Sequence, residues 1–255
     1  MPPILAPTDR LLSGLPIAAI DFETTWVGEG PPNEPGGSEQ HAVECAIAHF
    51  DLGETEPRVV LDRRYRPRVP ISDEATEVYG ISNEDVADVG EFDRDAAAEL
   101  LDLLEGRVVL AYNLPFDWSV LDGELRRLGL EHSRIPLFGI DPFVFAKDVH
   151  KYERGKKLSD TARRVGVAPK DGWHAAGVDV EVACRVVLPL LRLVSESSRD
   201  RDGEFLPTLS ALWEYQLRVG RNSERDLDRY FRRRSGGKSG IDWFPWRDLA
   251  GRLRE

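Results

Sequence analysis

Apolar and polar positions along residues 15–195 alternate with two different periods. Short, nearly continuous apolar runs stand at 15–22 (LPIAAIDF), 43–50 (VECAIAHF), 58–65 (RVVLDRRY), 107–112 (RVVLAY) and, more weakly, 137–141 (LFGID). Runs of this length and composition predict strands. The first three follow one another with no helical pattern between them, which predicts an antiparallel meander. A helical period takes over afterwards. Leu100, Leu101 and Leu104 share one stripe of 94–105, while 115–128 opens with Pro115 and stops before Gly129, as helix ends prefer. A short helix is expected over 157–165. A longer one is expected over 178–195, where Val180, Ala183, Val187, Leu190, Leu191 and Val194 recur at helical spacing. Three strands followed by alternating helices and strands describe an α/β fold, a mixed five-stranded sheet with helices packed on it.

Two polar stretches interrupt this plan. VGEGPPNEPGGSEQ (27–40) is a Gly/Pro loop, and SESSRDRDG (195–203) reads as a boundary between a domain at 1–195 and an extension at 196–255. Within the extension, 208–234 is expected to be helical and ends in the basic run RDLDRYFRRR, and SGGKSG then precedes the aromatic cluster IDWFPW. A length of 255 residues with 41% hydrophobic content suffices for one well-cored domain plus an appendage. Because no apolar run reaches about 18 residues, no membrane span is expected. The start, MPPILAPTDRLLSG, lacks the layout of a signal peptide. Cys45 and Cys184 are too few for a disulfide framework or a zinc cluster, so a reducing cytoplasm is the expected location. The net charge of −11 argues against a general polyanion binder. It still allows a local nucleic-acid site whose metal-binding acids add to the count. Residues 196–255 hold 13 Lys+Arg against 11 Asp+Glu, so the acidity belongs to the first 195.

The acids suggest chemistry in three places. IAAIDFETTW (17–26) runs an apolar strand into Asp21 and Glu23, and a strand points residues i and i+2 to the same face. Two carboxylates there repel each other and pay desolvation unless a metal, a basic side chain or water separates them. Asp-x-Glu occurs four times, at Asp21, Asp122, Asp179 and Asp202, and of these the pair at Asp21 ends an apolar strand. The second place is 108–129, where a strand leads through Asn113 into a helix with Asp117 in its first turn. Asp117 either serves the helix dipole or joins Asp21 and Glu23 at one end of the sheet. The third is GWHAAGVDVEVACRVV (172–187), with His174 five residues before Asp179 at the mouth of the last helix. His174 is either a surface or capping histidine or a group that titrates near neutrality beside the acids.

Taken together, DFETT (21–25), YNLPFD (112–117) and HAAGVD (174–179) resemble, in order and approximate spacing, the three exonuclease motifs of the DnaQ-like (DEDDh) superfamily. The connecting segments EVYGISNEDVAD (77–88) and KKLSDTARRVGV (156–167) are similar as well, over about residues 15–195. The resemblance implies a ribonuclease H-like fold with helices on both faces and a C-terminal helical appendage. It implies a 3′→5′ exonuclease that hydrolyses phosphodiester bonds of DNA or RNA ends and releases nucleoside 5′-monophosphates. Asp21, Glu23, Asp117 and Asp179 would hold two Mg²⁺ or Mn²⁺ ions, with His174 as general base. Such ions, about 3.5–4 Å apart, clamp the attacking and leaving oxygens of the displacement, and hard ions want oxygen ligands. Ala175 stands where a sister subfamily places Tyr, which favours the His version.

The same motifs supply the expected substrate contacts, Phe22, Thr24, Thr25, Trp26, Tyr112, Asn113 and Phe116. Trp26, Tyr79 and Tyr112 depart from the family, which usually has Gly, His and His there. Trp26 and Tyr112 either stack on a terminal base or pack. Arg63, Arg64, Arg66 and Arg68, or Lys151, Lys156 and Lys157, are candidates to offset phosphate charge, and loop 27–40 is expected to cover the substrate end. The expected partners are single-stranded or frayed 3′ ends. A polymerase or sliding clamp is a further possibility, since QLRVG (216–220) resembles clamp-binding peptides although it lies in a helical pattern. Arg229 to Arg234 and the aromatics Trp243, Phe244 and Trp246 could bind nucleic acid or a partner; otherwise the helix and tail of the extension are expected to fold back and cover part of the exonuclease domain. Two alternatives are an exoribonuclease for short or structured RNA 3′ ends and a catalytically idle nuclease fold that only binds.

Overall fold

The computed structural model describes residues 11–27, 40–54, 56–130, 139–167, 174–199 and 208–220. Its elements run β1 (Pro16–Thr24), β2 (Ala42–Asp51), β3 (Arg58–Arg64), α1 (Asp73–Tyr79), α2 (Arg94–Leu104), β4 (Val108–Leu110), α3 (Leu114–Arg127), β5 (Gly139–Ile140), α4 (Pro142–Val149), α5 (Leu158–Arg164) and α6 (Ala176–Arg199). A last helix, α7, occupies 209–220. Residues 28–39, nearly all of the loop expected over 27–40, and residues 221–255, with the basic run and the aromatic cluster, lie outside the described residues.

The strands form one sheet in the order β3-β2-β1-β4-β5. As the meander requires, β1 to β3 pair antiparallel, whereas β4 runs parallel to β1 and β5 parallel to β4. Helices cover both faces. His49 of β2 bonds the Leu103 carbonyl of α2, and Arg63 of β3 pairs with Glu99, so α2 lies on the face those two residues share. On the other face, Ala176 of α6 donates to Glu44 and Gly177 packs against Asp62. A strand buried on both sides reads as an apolar run rather than an alternation, which is why β1 shows Ile17, Ala18, Ala19 and Ile20 in sequence, all buried.

The local signals are those that elementary capping chemistry demands. Ser72 caps α1, Asp93 caps α2 and Asp141 caps α4, each through its side chain. Helices α1 and α4 carry no long apolar stripe and were absent from the sequence-based plan. Residues 71–89 form a small second core from Val43, Ile71, Ala75, Ile81 and Val86, against which Tyr79 packs. Helix α7 folds back on the domain. Its Leu209, Leu212, Trp213, Tyr215 and Val219 belong to the main core, and Gln216 bonds both the Asp141 N–H and the Gly139 carbonyl at the edge strand β5.

Candidate active site

Strand β1 is central, and Asp21 and Glu23 stand at its carboxyl end on one face. Strand β4 pairs with β1 only as far as Ala19. Past that point the Phe22 N–H has no strand partner, and the Asp117 carboxylate takes that place, accepting it at 3.1 Å. Asp117 reaches this spot because Asn113 turns the chain with φ 77° directly after β4, its N–H held by Asp141 at 2.9 Å. The helix α3 that starts there buries Asp117 to 2% exposure.

The opposite wall comes from α6. His174 adopts φ 67° just before the helix, and its N–H bonds the Asp179 carboxylate in the first turn. Glu23, His174 and Asp179 each offer a ligand atom, and these three atoms lie within 4.8 Å of one another. Among the described residues, Asp179 Oδ1 is buried without a hydrogen-bond partner. An orphaned carboxylate oxygen beside a second carboxylate and an imidazole fits an oxygen- and nitrogen-seeking cation.

Electrostatics gives the same picture. Burial, with Asp179 and Glu44 nearby, holds the Asp21 carboxyl far above the usual carboxylate range. Glu23 is pushed up to about 11 by burial and then by Asp21, Asp179, Glu44 and Asp117. Asp117 is raised by burial and Asp21, against the lowering effect of the Phe22 N–H. Burial lifts Asp179 to about 6. The His174 imidazole is lowered by burial and by the Lys157 ammonium, which keeps it neutral and able to accept a proton near pH 7. Four mutually repelling acids are thus held together, and a positive charge among them would relieve the repulsion.

The expected substrate contacts do not all reach this pocket. The Phe22 side chain points to the opposite face of β1 and is buried in the core, so only its backbone serves the site. Tyr112 is turned inward: its hydroxyl bonds the Lys156 carbonyl and Thr161, and its ring packs on Phe143. These contacts place the Tyr112 hydroxyl and one side of its ring in packing between β4, α4 and α5. Thr24 and Thr25 are fully buried, Thr24 donating to the Trp26 carbonyl and Thr25 accepting from His41. Trp26, Phe116 and Asn113 remain partly or largely open. Arg63, Arg64, Arg66 and Arg68 are each paired with a glutamate, Glu99, Glu44 or Glu91, and Lys156 donates to the Glu153 carbonyl. Exposed Lys157 acts electrostatically on His174. QLRVG does not form a free docking peptide, because Gln216 is buried and bonded to β5.

Two further residues stand near the pocket: Tyr79, known from the sequence as a departure from the family, and Glu44, which the sequence reading did not single out. Tyr79 hydrogen-bonds Thr24 and is pushed up to about 12 by burial and by Glu23. Glu44, an acid inside the otherwise apolar run VECAIAHF, lies opposite Glu23 on β2. Its position in that run was the available signal.

The profile of the RNase T exonuclease family matches residues 18–187, about two thirds of the chain. The chain belongs to that exonuclease family. It is 29% identical over 180 residues to the DNA polymerase III subunit epsilon of Haemophilus influenzae, covering 66% of this chain and 64% of the subunit. It is 25% identical over 244 residues to RNA exonuclease 4 of Cryptococcus neoformans, covering 89% of this chain and 54% of that protein. Among solved structures, the nuclease domain of 3′hExo, a DEDDh family member bound to rAMP, matches with TM-score 0.54 at 16% identity, over 69% of this chain and 92% of that one. Escherichia coli exonuclease I in complex with a dT13 oligonucleotide matches with TM-score 0.55 at 17% identity, over 73% of this exonuclease and 43% of that one. These structures share the fold. Among the described residues, no helix is long and apolar enough to cross a membrane.

Proposed function

We propose that this chain is a 3′→5′ exonuclease that removes nucleoside 5′-monophosphates from single-stranded or frayed DNA or RNA ends with two divalent ions, Mg²⁺ or Mn²⁺. The observation that carries the reading is that Glu23, His174 and Asp179 bring ligand atoms within 4.8 Å of one another, while Asp21 shares the strand face of Glu23 and Asp117 reaches the same strand end through the Phe22 N–H. Asp21, Glu23, Asp117 and Asp179 would hold the ions, which when bound polarise water and offset charge at phosphorus. The protein's own part is to orient these carboxylates and to keep a neutral imidazole beside them. His174 accepts the proton of the attacking water, help typically worth about 10² to 10⁴ in rate. Lys157, exposed next to His174, supplies positive charge on the substrate side. Both thiols are free and buried, which suits a reducing cytoplasm.

The test is to incubate the purified chain with end-labelled single-stranded DNA and RNA, with Mn²⁺ or with EDTA. A ladder shortening from the 3′ end only with metal is expected, and the faster of the two sugars names the substrate class. Tight oligonucleotide binding without any metal-dependent cleavage would instead establish the idle binding module.

A further inference from the structure

Glu44 has no role in the chemistry proposed above, yet it stands at the wall of the pocket. It is the directly opposed cross-strand neighbour of Glu23 and is 5% exposed. A fifth buried carboxylate beside four others raises the electrostatic cost of the site, so it needs compensation. Both of its oxygens are engaged. Arg64 Nε donates to Oε1 at 2.9 Å, and the Ala176 N–H donates to Oε2 at 2.9 Å. That separates Glu44 from Asp179, whose Oδ1 has no partner among the described residues.

Ala176 is the first residue of α6, two positions after His174 and three before Asp179. First-turn N–H groups have no acceptor within their own helix, and a carboxylate is favoured at that end. Here the acceptor comes from a strand 132 residues away in the chain. Gly177, next along, lies so close to β3 that a Cβ would come within 2.3 Å of the Asp62 carboxylate. The helix start therefore sits directly on the β2–β3 surface.

We propose that Glu44 is a positioning residue that docks the first turn of α6 on β2 and so sets His174 and Asp179 against Asp21 and Glu23, with Arg64 holding the carboxylate in place. The effect on turnover rests on the nuclease reading; the docking itself does not. Arg64 suits this task because its side chain is 45% exposed, delivering its charge from the rim without filling the pocket.

The experiment compares wild type, Glu44→Ala and Glu44→Gln by amide hydrogen exchange over 174–180 and by Mn²⁺-dependent turnover of a labelled single strand. Glu44→Ala is expected to speed exchange at the start of α6 while β1 and β2 stay protected. It should lower kcat on the order of 10–100-fold with KM changed less than about threefold, as for a residue that orients ligands. Glu44→Gln keeps an acceptor for Ala176 and should recover protection there and part of the rate. If Glu44→Ala does not fold, Glu44→Gln alone decides, since lost protection at Ala176 despite the retained acceptor contradicts the docking. Unchanged exchange and unchanged kcat in Glu44→Ala overturn the proposal, as does faster exchange spread over β1 and β2. A wild type that cuts nothing removes the nuclease reading, while the exchange comparison still judges the docking.

Discussion

At the residue scale, the same short pattern has opposite fates on a strand and on a helix. Asp21 and Glu23 share a face because a strand repeats every two residues. Asp122 and Glu124, on α3, point apart because two helical residues span about 200°. Asp122 pairs with Arg126 at the surface, while Glu124 turns inward to the Ala42 N–H and Arg127. Asp179 and Glu181 divide likewise, Glu181 facing Arg185. Among the pairs within the described residues, the strand pair is therefore the one that concentrates charge, and removing part of it should be felt at the metal. Asp21→Ala is expected to abolish both Mn²⁺ binding by calorimetry and hydrolysis; unchanged Mn²⁺ affinity would contradict its assignment. His174→Ala is expected to cut turnover by about 10² to 10⁴ and leave Mn²⁺ affinity within the same order. A matching collapse of affinity would make His174 a ligand instead of a base.

At the element scale, site geometry depends on where elements stop. Strand β4 is three residues long, and its early end leaves the Phe22 N–H for Asp117. The turn into α3 hangs on Asp141, which binds the Asn113 N–H, caps α4 and is itself anchored through its own N–H by Gln216. Helix α7 thereby supports the Asp117 side of the pocket through a chain of three residues. Replacing Gln216 by Ala leaves the buried Asp141 N–H and Gly139 carbonyl without partners, at about 1–3 kcal/mol each. Gln216→Ala is expected to destabilise the fold by about 2–4 kcal/mol in urea unfolding; a loss under about 0.5 kcal/mol would show that α7 docks without this bridge.

At the scale of the whole molecule, the acidic pocket is a liability of the metal-free chain. The folded Asp179 value of about 6 stands above an ordinary unfolded one near 4. Between those values the folded chain binds the extra proton, so the stability this group contributes is full at lower pH and is lost as pH rises through about 6. Divalent ions need ionised carboxylates and should compensate where protons no longer do. Mn²⁺ is expected to raise the Tm more at about pH 7.5 than at about pH 5. Equal shifts at both values would show that the ion does not bind in the pocket.

Composition and periodicity alone determined the strand order of the meander and the helices with long apolar stripes, because each is written in a local period or a local cap. The three acid-bearing segments stood out by their residues, and their joint role came from the resemblance to the exonuclease motifs. Helices α1 and α4 were not legible, since their seven or eight residues carry no apolar stripe long enough to set a 3.6-residue period, whereas the equally short α5 was expected over 157–165. The inward turn of Tyr112, the pairing of the arginines on and after β3 and the Gln216 hydrogen bonds that fix the fold-back of α7 were decided only in three dimensions. So was Glu44, whose two partners lie 20 and 132 residues away. Hydrogen bonds and desolvation act across space between segments that share no period, and a charge in a strand does not announce which distant N–H it will meet.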